Sequence, residues 1–381
     1  MRDYDRFGAE ILKNNGFNVS LWDLSNFIYP GSVSAIKNKF GITNHENIIR
    51  FNSIEKVVQA IREENHETFF ITIIYFDLQT YKIFRAISNI GCKYGVTGAY
   101  SVGHYPETEN LPFHKRVLKS VYNKTIFKKI GEKVIQNFFK ISPNLLGIDC
   151  ADYYALSGGK LASASGLLIG NNTFIQHIHA YDYDLFLKHN YLINKKQDHE
   201  FIVFIDQAFS YHPDAGLFNK SKIDARKYYE DLRRFFDLVE SITRLNVVIA
   251  AHPKVDYKGR ESLFNGRKIV SGHNSLEIIS ESKSVIMHYS TAVNMAILFR
   301  KPILFITTNM LEATYRARSI AGLTKCFNTS PLNINDVNDK IEFPSVNNEL
   351  YDAYIANYIK KPGTKDELFW QQVANHIKEN Y

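Results

Sequence analysis

Hydrophobic and polar positions fall into two successive series of short apolar runs, each followed by segments with helical spacing. Apolar runs of about four to eight residues predict buried strands, and apolar residues recurring every three to four positions predict helices. Alternating strands and helices indicate a parallel sheet with crossover helices. The first series predicts helices ending near Gly16 and Gly91, and strands at 17–24, 69–76, 93–102 and the start of 145–159.

The second series restarts after the polar end of residues 185–200, where we place a linker. Its pattern predicts strands at 201–207, 246–253, 267–272, 284–288 and 301–307, and helices at 225–244, 275–282 and 290–300. A last helix is predicted at 365–380, with a capping box formed by Thr364 and Glu367. The predicted fold class is therefore α/β with two Rossmann-like domains, at 1–195 and 196–364, and a helix at 365–381 that crosses back to the first domain.

Composition narrows the class of protein. A chain of 381 residues, 45% hydrophobic and 22% charged, is long enough for two folded domains. Its three cysteines are far apart and odd in number, which excludes a disulfide framework or a zinc motif and fits a reducing cytoplasm. Neither a signal peptide nor an apolar run near the roughly 18 residues of a membrane span is visible, so we expect a cytoplasmic protein. The sequence begins with a predicted helix, whereas such domains usually begin with a strand. Whether a further strand precedes this helix is left open.

The formal net charge of +7 favours an acidic partner, which could be nucleic acid, an anionic lipid or a phosphorylated substrate, and the charge does not choose between them. We expect a phosphorylated substrate and no nucleic acid. The most basic segment, 115–140, carries eight Lys or Arg, and its apolar residues recur every four positions. An amphipathic helix of this kind can lie on an anionic membrane surface. For a cytoplasmic protein, that surface would be the inner face of the membrane. Alternatively, it packs its apolar face on the sheet and leaves its lysines in solvent.

Candidate chemistry lies where the strands of the second series end, since open parallel sheets bind ligands beyond the carboxyl ends of their strands. Ser290 and Thr291 precede a predicted helix, whose N-terminus offers unpaired N–H groups to a phosphate. A simple helix cap explains Ser290 equally well. His252 and Pro253 end another strand, and the imidazole can donate to a phosphate or to a nucleotide hydroxyl. The other candidates for nucleotide binding at these ends are Lys254, Gly272 and His288.

Carboxylates supply the second kind of candidate. Asp206 ends the strand FIVFID, where it could deprotonate an acceptor hydroxyl or cap the following loop. His212 and Asp214 compete for the same pocket. In the first half, the sequence HIHAYDYD places His179 and Asp182, with His177 and Asp184, where they would line a cleft between the domains. A metal cluster is the weaker interpretation of this group, and we predict no metal and no cofactor.

The sequences AAHPK at 251–255 and SLEIISESKSVIMHYSTAVNMAILFRKPILFIT at 275–307 resemble the donor-binding domain of GT-B glycosyltransferases. The similarity is to enzymes of bacterial capsule and O-antigen synthesis, including sialyltransferase-like and nonulosonic acid transferase-like members. In such members an HP motif and a Ser/Thr pair before a helix hold the nucleotide phosphate. The resemblance implies this role for His252 with Pro253 and for Ser290 with Thr291, and an acidic base for which Asp206 is the nearest candidate.

The resemblance implies two Rossmann-like domains that face each other across a cleft, and metal-independent transfer of a sugar to a bacterial surface glycan. The C-terminal domain would bind a CMP-linked nonulosonic acid or a UDP-sugar, and the N-terminal domain a glycan or lipid-linked glycan acceptor. Asp182-Tyr183-Asp184 fits the DxD of metal-dependent GT-A enzymes by letter but lies at a domain junction. Three alternatives stay open: a nucleotide-sugar 2-epimerase, a polyol-phosphate transferase and a non-catalytic subunit that binds glycan or nucleotide sugar.

Overall fold

The computed structural model describes residues 7–28, 47–99, 143–160, 168–192, 200–211, 223–253, 255–270, 274–337 and 340–381. Several predictions fall outside these ranges: the basic segment 115–140 and the candidate site residues Lys254, His212, Asp214 and Gly272. In the described part of the chain no helix is long and apolar enough to cross a membrane.

The first half of the chain forms parallel sheets flanked by helices. Strands β1 (Leu21–Asp23) and β2 (Ile48–Arg50) pair with each other. A four-stranded sheet has the order β3 (Phe69–Thr72), β4 (Lys93–Gly98), β5 (Tyr153–Ser157) and β6 (Phe174–Ile178). Trp22 of β1 packs edge-on against Phe70 of β3, with ring centroids 5.8 Å apart, so the two sheets share a core. The helices of this half are α1 (Ala9–Asn14), α2 (Ser25–Ile28), α3 (Ile54–Glu63) and α4 (Tyr81–Asn89).

The second half contains one sheet of six parallel strands, in the order β12-β11-β10-β7-β8-β9. Numbered from β7 as the first strand of this unit, the order is 6-5-4-1-2-3, which is the Rossmann order 3-2-1-4-5-6 written from its other edge. The strand order reverses between β7 and β10, so their carboxyl ends form the topological switch point of the sheet. The strands are β7 (Phe201–Ile205), β8 (Asn246–Ala250), β9 (Ile269–Val270), β10 (Ser284–Met287), β11 (Ile303–Thr307) and β12 (Leu332–Asn333).

Helices cover both faces of this sheet, so β7 is buried on both sides and is apolar throughout. The helix that follows it, α6 (Ala225–Thr243), begins where the Asp224 carboxylate accepts the Lys227 amide at 3.3 Å. Its apolar residues recur at helical spacing and pack on the strands: Tyr228, Leu232, Phe235, Phe236 and Val239. The later helices are α7 (Ser275–Glu281), α8 (Val293–Leu298), α9 (Asn309–Glu312), α10 (Arg316–Thr324) and α11 (Asn348–Tyr354).

The last helix, α12 (Phe369–Asn380), packs on the sheet of the first half, where Phe369 and Trp370 join the core formed by Tyr153 and Ile178. The predicted capping box is wrong: the Thr364 hydroxyl donates to the Lys361 carbonyl, and the Phe369 amide donates to Asp184 at 2.9 Å. Asp184 belongs to α5 (Tyr181–Leu192), which occupies the first part of the predicted linker. The chain thus returns to its first half before it ends.

The two halves also meet at the carboxyl ends of β5 and β6. The amides of Gly159 and Ala180 donate to the carbonyls of Ala356 (2.7 Å) and Ile359 (2.8 Å), in the π-helical turn Ile355–Ile359. Two Rossmann-like sheets in series, joined here and by the returning helix, confirm the predicted α/β class and form the GT-B arrangement that the resemblance implies.

Gly158, at the end of β5, gives the first testable prediction. Its φ of +66° is left-handed, and a Cβ there would overlap the carbonyl oxygen of Asn357. Gly158→Ala should therefore lower the free energy of unfolding by about 3 kcal/mol, through backbone strain and steric overlap. Gly91→Ala is the matched control, because Gly91 has a φ of +71° but, apart from its chain neighbours, no atom of the described residues within 4 Å of the place that a Cβ would occupy. It should cost only about 1 kcal/mol in urea denaturation, and equal losses would contradict a tight contact at Gly158.

Candidate functional site

The candidate site lies at the switch point, where the chain leaves β7 through Asp206, Gln207 and Ala208 and leaves β10 through His288 and Tyr289. The two exits are joined directly: the Gln207 side-chain oxygen accepts the Tyr289 amide at 3.0 Å. Ala208 has a φ of 48°, a left-handed conformation that costs a non-glycine residue energy and therefore needs support from its neighbours.

Asp206 supplies that support. Its Oδ1 accepts the Ala208 amide at 2.9 Å, and its Oδ2 accepts the Tyr257 hydroxyl. The side chain is 2% exposed. Burial raises the pKa of Asp206 from its ordinary 3.8 to about 6, although the hydrogen bonds from Tyr257 and Ala208 act in the opposite direction. A carboxylate enclosed in this way holds the loop after β7 in place and is not positioned to touch an acceptor hydroxyl.

His288 was a candidate for nucleotide binding, and the structure corrects that prediction. The residue is fully buried, its Nδ1 donates to the Ile306 carbonyl at 2.8 Å, and its Nε2 accepts the Tyr228 hydroxyl at 2.9 Å. Burial lowers the pKa of His288 to about 4, so the ring is neutral at neutral pH. Both ring nitrogens are used within the protein, and His288 therefore fixes the end of β10 between β11 and α6.

Ser290 and Thr291 follow at the rim of the sheet, and α8 begins after them, at Val293 rather than at residue 290. The Ser290 hydroxyl accepts the Ala292 amide at 3.2 Å, and the amide of Val293 donates to the Ser290 carbonyl, also at 3.2 Å. The prediction that the first-turn amides are unpaired is therefore wrong for these two groups. Ser290 is half-buried and Thr291 is exposed, which leaves the Thr291 hydroxyl accessible beside the switch point.

His252 and Pro253 follow β8, on the other side of β7 from β10. Neighbouring strands lie about 4.8 Å apart, so the ends of β8 and β10 are separated by about 10 Å, a span that a nucleotide can bridge. Both residues line a cavity of about 380 Å³. Charged side chains of both signs complete its wall, among them Asp256, Lys258, Glu261 and Arg267.

The His and Asp residues of the first half have structural partners. Both nitrogens of the buried His179 lie against carbonyl oxygens, those of Ala180 (3.1 Å) and Glu367 (2.7 Å), so His179 cannot line a cleft for an acceptor. Asp182 accepts the Asn294 side-chain amide at 2.9 Å, which ties α5 to α8. His177 Nδ1 lies 2.7 Å from the Gly158 carbonyl oxygen. Within the described ranges, no group of three or more metal-ligating side chains comes together.

One residue at this edge was missed by the sequence analysis. The guanidinium of Arg316, at the start of α10, lies 4.9 Å from the ring centroid of Phe209 and 5.0 Å from that of Tyr315. Phe209 belongs to the loop after β7, and its ring centroid is 5.4 Å from that of His288. The sequence offers little signal for Arg316, because YRAR after an apolar strand is typical of an ordinary exposed helix start.

No family model and no curated protein matches the chain. Among solved structures, it is similar to the glycotransferase of kitacinnamycin (TM-score 0.49, 11% identity, covering 97% of this chain and 92% of that one). It is also similar to Acinetobacter baumannii MurG (TM-score 0.45, 9% identity, 97% and 94% covered). A third is the UDP-GlcNAc 2-epimerase of Methanocaldococcus jannaschii (TM-score 0.41, 11% identity, 93% and 89% covered). At such identities the activity of this chain has to be inferred from its own site.

Asp206 and His288 lead to a prediction on pH dependence. The raised pKa of Asp206 means that its contribution to stability grows as the pH falls from about 6 towards 3.8. The lowered pKa of His288 means that its contribution is lost as the pH falls from 6.5 towards about 4. The two effects oppose each other in the same window, so Asp206→Asn should leave the His288 effect uncompensated. Between pH 7 and 4.5 the variant should lose about 2 kcal/mol more stability than wild type.

Urea denaturation at the two pH values measures this difference. Asp256→Asn is the control, since it removes an exposed carboxylate near Tyr257 and should keep the wild-type pH dependence. A wild-type pH dependence in Asp206→Asn would show that Asp206 is not a buried group with a raised pKa.

Proposed function

We propose that the protein is a glycosyltransferase that uses a nucleotide-sugar donor, bound at the carboxyl edge of the six-stranded sheet. The observation that carries the proposal is the reversal of strand order between β7 and β10, which is where doubly wound sheets bind nucleotides. The Gln207–Tyr289 hydrogen bond holds the two strand exits at this point together, and the hydroxyls of Ser290 and Thr291 lie beside them.

In this proposal the Ser290 and Thr291 hydroxyls donate to a phosphate of the donor, and His252 and Pro253, two strands away, contact the remainder of the nucleotide. During transfer the bond between the sugar carbon and the phosphate oxygen breaks, and its electron pair stays on that oxygen. The acceptor oxygen bonds to the carbon and gives its proton to a base. Donors fixed around the phosphate favour the transition state, because charge builds up there as the bond breaks.

Asp206 acts in this scheme as a positioning residue and not as the base. A base must come within hydrogen-bond reach of the proton that it removes. Asp206 is 2% exposed, and its oxygens bond to Ala208 and Tyr257. Its loss would therefore disturb the loop after β7 and with it donor binding.

The finer assignments rest on the sequence resemblance. We propose a CMP-linked nonulosonic acid or a UDP-sugar as donor, and a bacterial surface glycan or lipid-linked glycan as acceptor, bound by the N-terminal half. Contact between the basic segment 115–140 and the inner face of an anionic membrane stays a prediction of the sequence.

Nucleotide binding is the direct test. One of CMP, CDP, UDP and GDP should raise the melting temperature, and calorimetry should show roughly 3- to 10-fold weaker binding for His252→Ala and Thr291→Ala, since each loses about one hydrogen bond. Ser280→Ala is the matched control: Ser280 lies near the end of α7, which leads into β10 at the opposite edge of the sheet, and its hydroxyl donates to the Glu277 carbonyl. Unchanged affinities in both site variants would remove the proposed site. An assay for released nucleotide then separates a transferase from a non-catalytic binding protein.

Metal dependence gives a separate prediction. The carboxylates of Asp182 and Asp184, the DxD-like pair, are engaged by Asn294 and by the Phe369 amide. We therefore expect transferase activity to persist in EDTA. If EDTA abolished the activity and Mn²⁺ restored it, this pair would instead have a metal-binding role. If Mn²⁺ also restored the activity of Asp182→Asn, that role would be limited to Asp184.

A further inference from the structure

Arg316 stands between two aromatic rings at the edge of the candidate site. Its guanidinium lies 4.9 Å from the Phe209 centroid and 5.0 Å from the Tyr315 centroid. Phe209 follows β7, whereas Arg316 and Tyr315 follow β11, so the contact spans the carboxyl edge of the sheet across the end of β10. Aromatic faces attract a guanidinium and limit its orientations, but they accept none of the hydrogen bonds that its five N–H groups can donate in a plane.

Among the residues that the structure describes, the charge of Arg316 lacks a polar partner. Its Nη1 is buried and has no hydrogen-bond acceptor within the described part of the chain, and no carboxylate there lies within ion-pair distance of its guanidinium. Arg267 shows how this protein otherwise treats a buried guanidinium, since it bonds to both Asp237 and Glu240. Leaving a buried cationic donor unpaired costs more than leaving a neutral one, so Arg316 is poised for an acceptor that the described chain does not provide.

Two hydroxyls at the carboxyl edge of the same sheet share this property. The Ser210 Oγ, next to Phe209, and the Thr307 Oγ1, at the end of β11, are also buried and lack a partner among the described residues. Both groups can donate to an acceptor and neither brings a negative charge. An oxyanion is the kind of ligand that can accept hydrogen bonds from a guanidinium and from hydroxyls at the same edge.

We propose that Arg316, held against the Phe209 ring next to Ser210 in the chain, binds a phosphate group of the nucleotide donor. The inference rests on the proposed function, because the switch point is where that function places the nucleotide phosphates. The aromatic pair holds the guanidinium fork in place before the ligand arrives, so binding requires little reorganisation. Arg316 then faces the phosphate from the β11 side of the switch point, while Ser290 and Thr291 approach it from the end of β10.

Calorimetry with Arg316→Gln and Arg316→Lys tests this role. The ligands are the nucleoside diphosphate that stabilises wild type best, the corresponding nucleoside, and inorganic pyrophosphate. We expect Arg316→Gln to weaken nucleoside diphosphate binding by roughly 10- to 100-fold, as for the loss of a charge-assisted hydrogen bond, and to leave nucleoside binding unchanged. Arg316→Lys keeps the charge but loses the planar fork, and we expect an intermediate loss. Arg318→Gln, which removes an exposed arginine from the same helix, should bind all three ligands as wild type does.

The ligands separate failure of this inference from failure of the proposed function. If Arg316→Gln and Arg316→Lys both keep wild-type affinity for the nucleoside diphosphate, the inference is overturned and the proposed function stands. If wild type binds pyrophosphate through Arg316 but binds no nucleotide, the anion site stands and the proposed function fails. If wild type binds neither ligand, both are overturned. Circular dichroism and melting temperature show whether Arg316→Gln folds, and Arg316→Lys decides the question if it does not.

Discussion

The parallel pairing of β7 with β10 is the constraint on which the candidate site depends. These strands are far apart in the chain, and their pairing brings the loop after Asp206 beside the loop after His288. Polar contacts then hold each exit: the buried pairs Asp206 with Tyr257 and His288 with Tyr228, and the partly buried pair Gln207 with Tyr289. Each of these groups has its hydrogen-bond partner inside the protein. Ligand binding therefore falls to residues at the rim of the sheet, such as Ser290 and Thr291.

The junction between the two halves follows a similar principle. It is built mostly from backbone groups, with the turn Ile355–Ile359 closing the carboxyl ends of β5 and β6. His179 and Asp184 extend the junction by bonding to the Glu367 carbonyl and the Phe369 amide. Polar residues that look like a catalytic cluster in the sequence thus serve to fix one half of the chain to the other.

The sequence predicts the alternation of strands and helices well, because short apolar runs rich in β-branched and aromatic residues, such as 201–205, are typical of buried strands. Boundaries are less predictable. FFITIIYF has the pattern of one strand, but β3 ends at Thr72, and Ile73 and Tyr75 are 50% and 65% exposed. Periodicity cannot detect this, because a loop held by side-chain hydrogen bonds, here between Thr80 and Asp77, can contain the same apolar residues as a strand.

For the site residues, the sequence predicts position at a strand end but not whether the side chain faces a ligand. Ser290 and His252 could be proposed from the sequence, because position at a strand end is local information. Whether a residue at such a position faces a ligand or the core is not local. His288 directly precedes Tyr289 and Ser290 in the chain, yet it is fully buried, since β11 and α6 close over it. Arg316 shows the converse. Its buried Nη1 lacks a polar partner among the described residues, and its guanidinium lies against Phe209, more than a hundred residues earlier in the sequence. A site of this kind is recognised by a charged group that lacks a partner in the folded chain. Residue type and spacing in the sequence cannot reveal such a group.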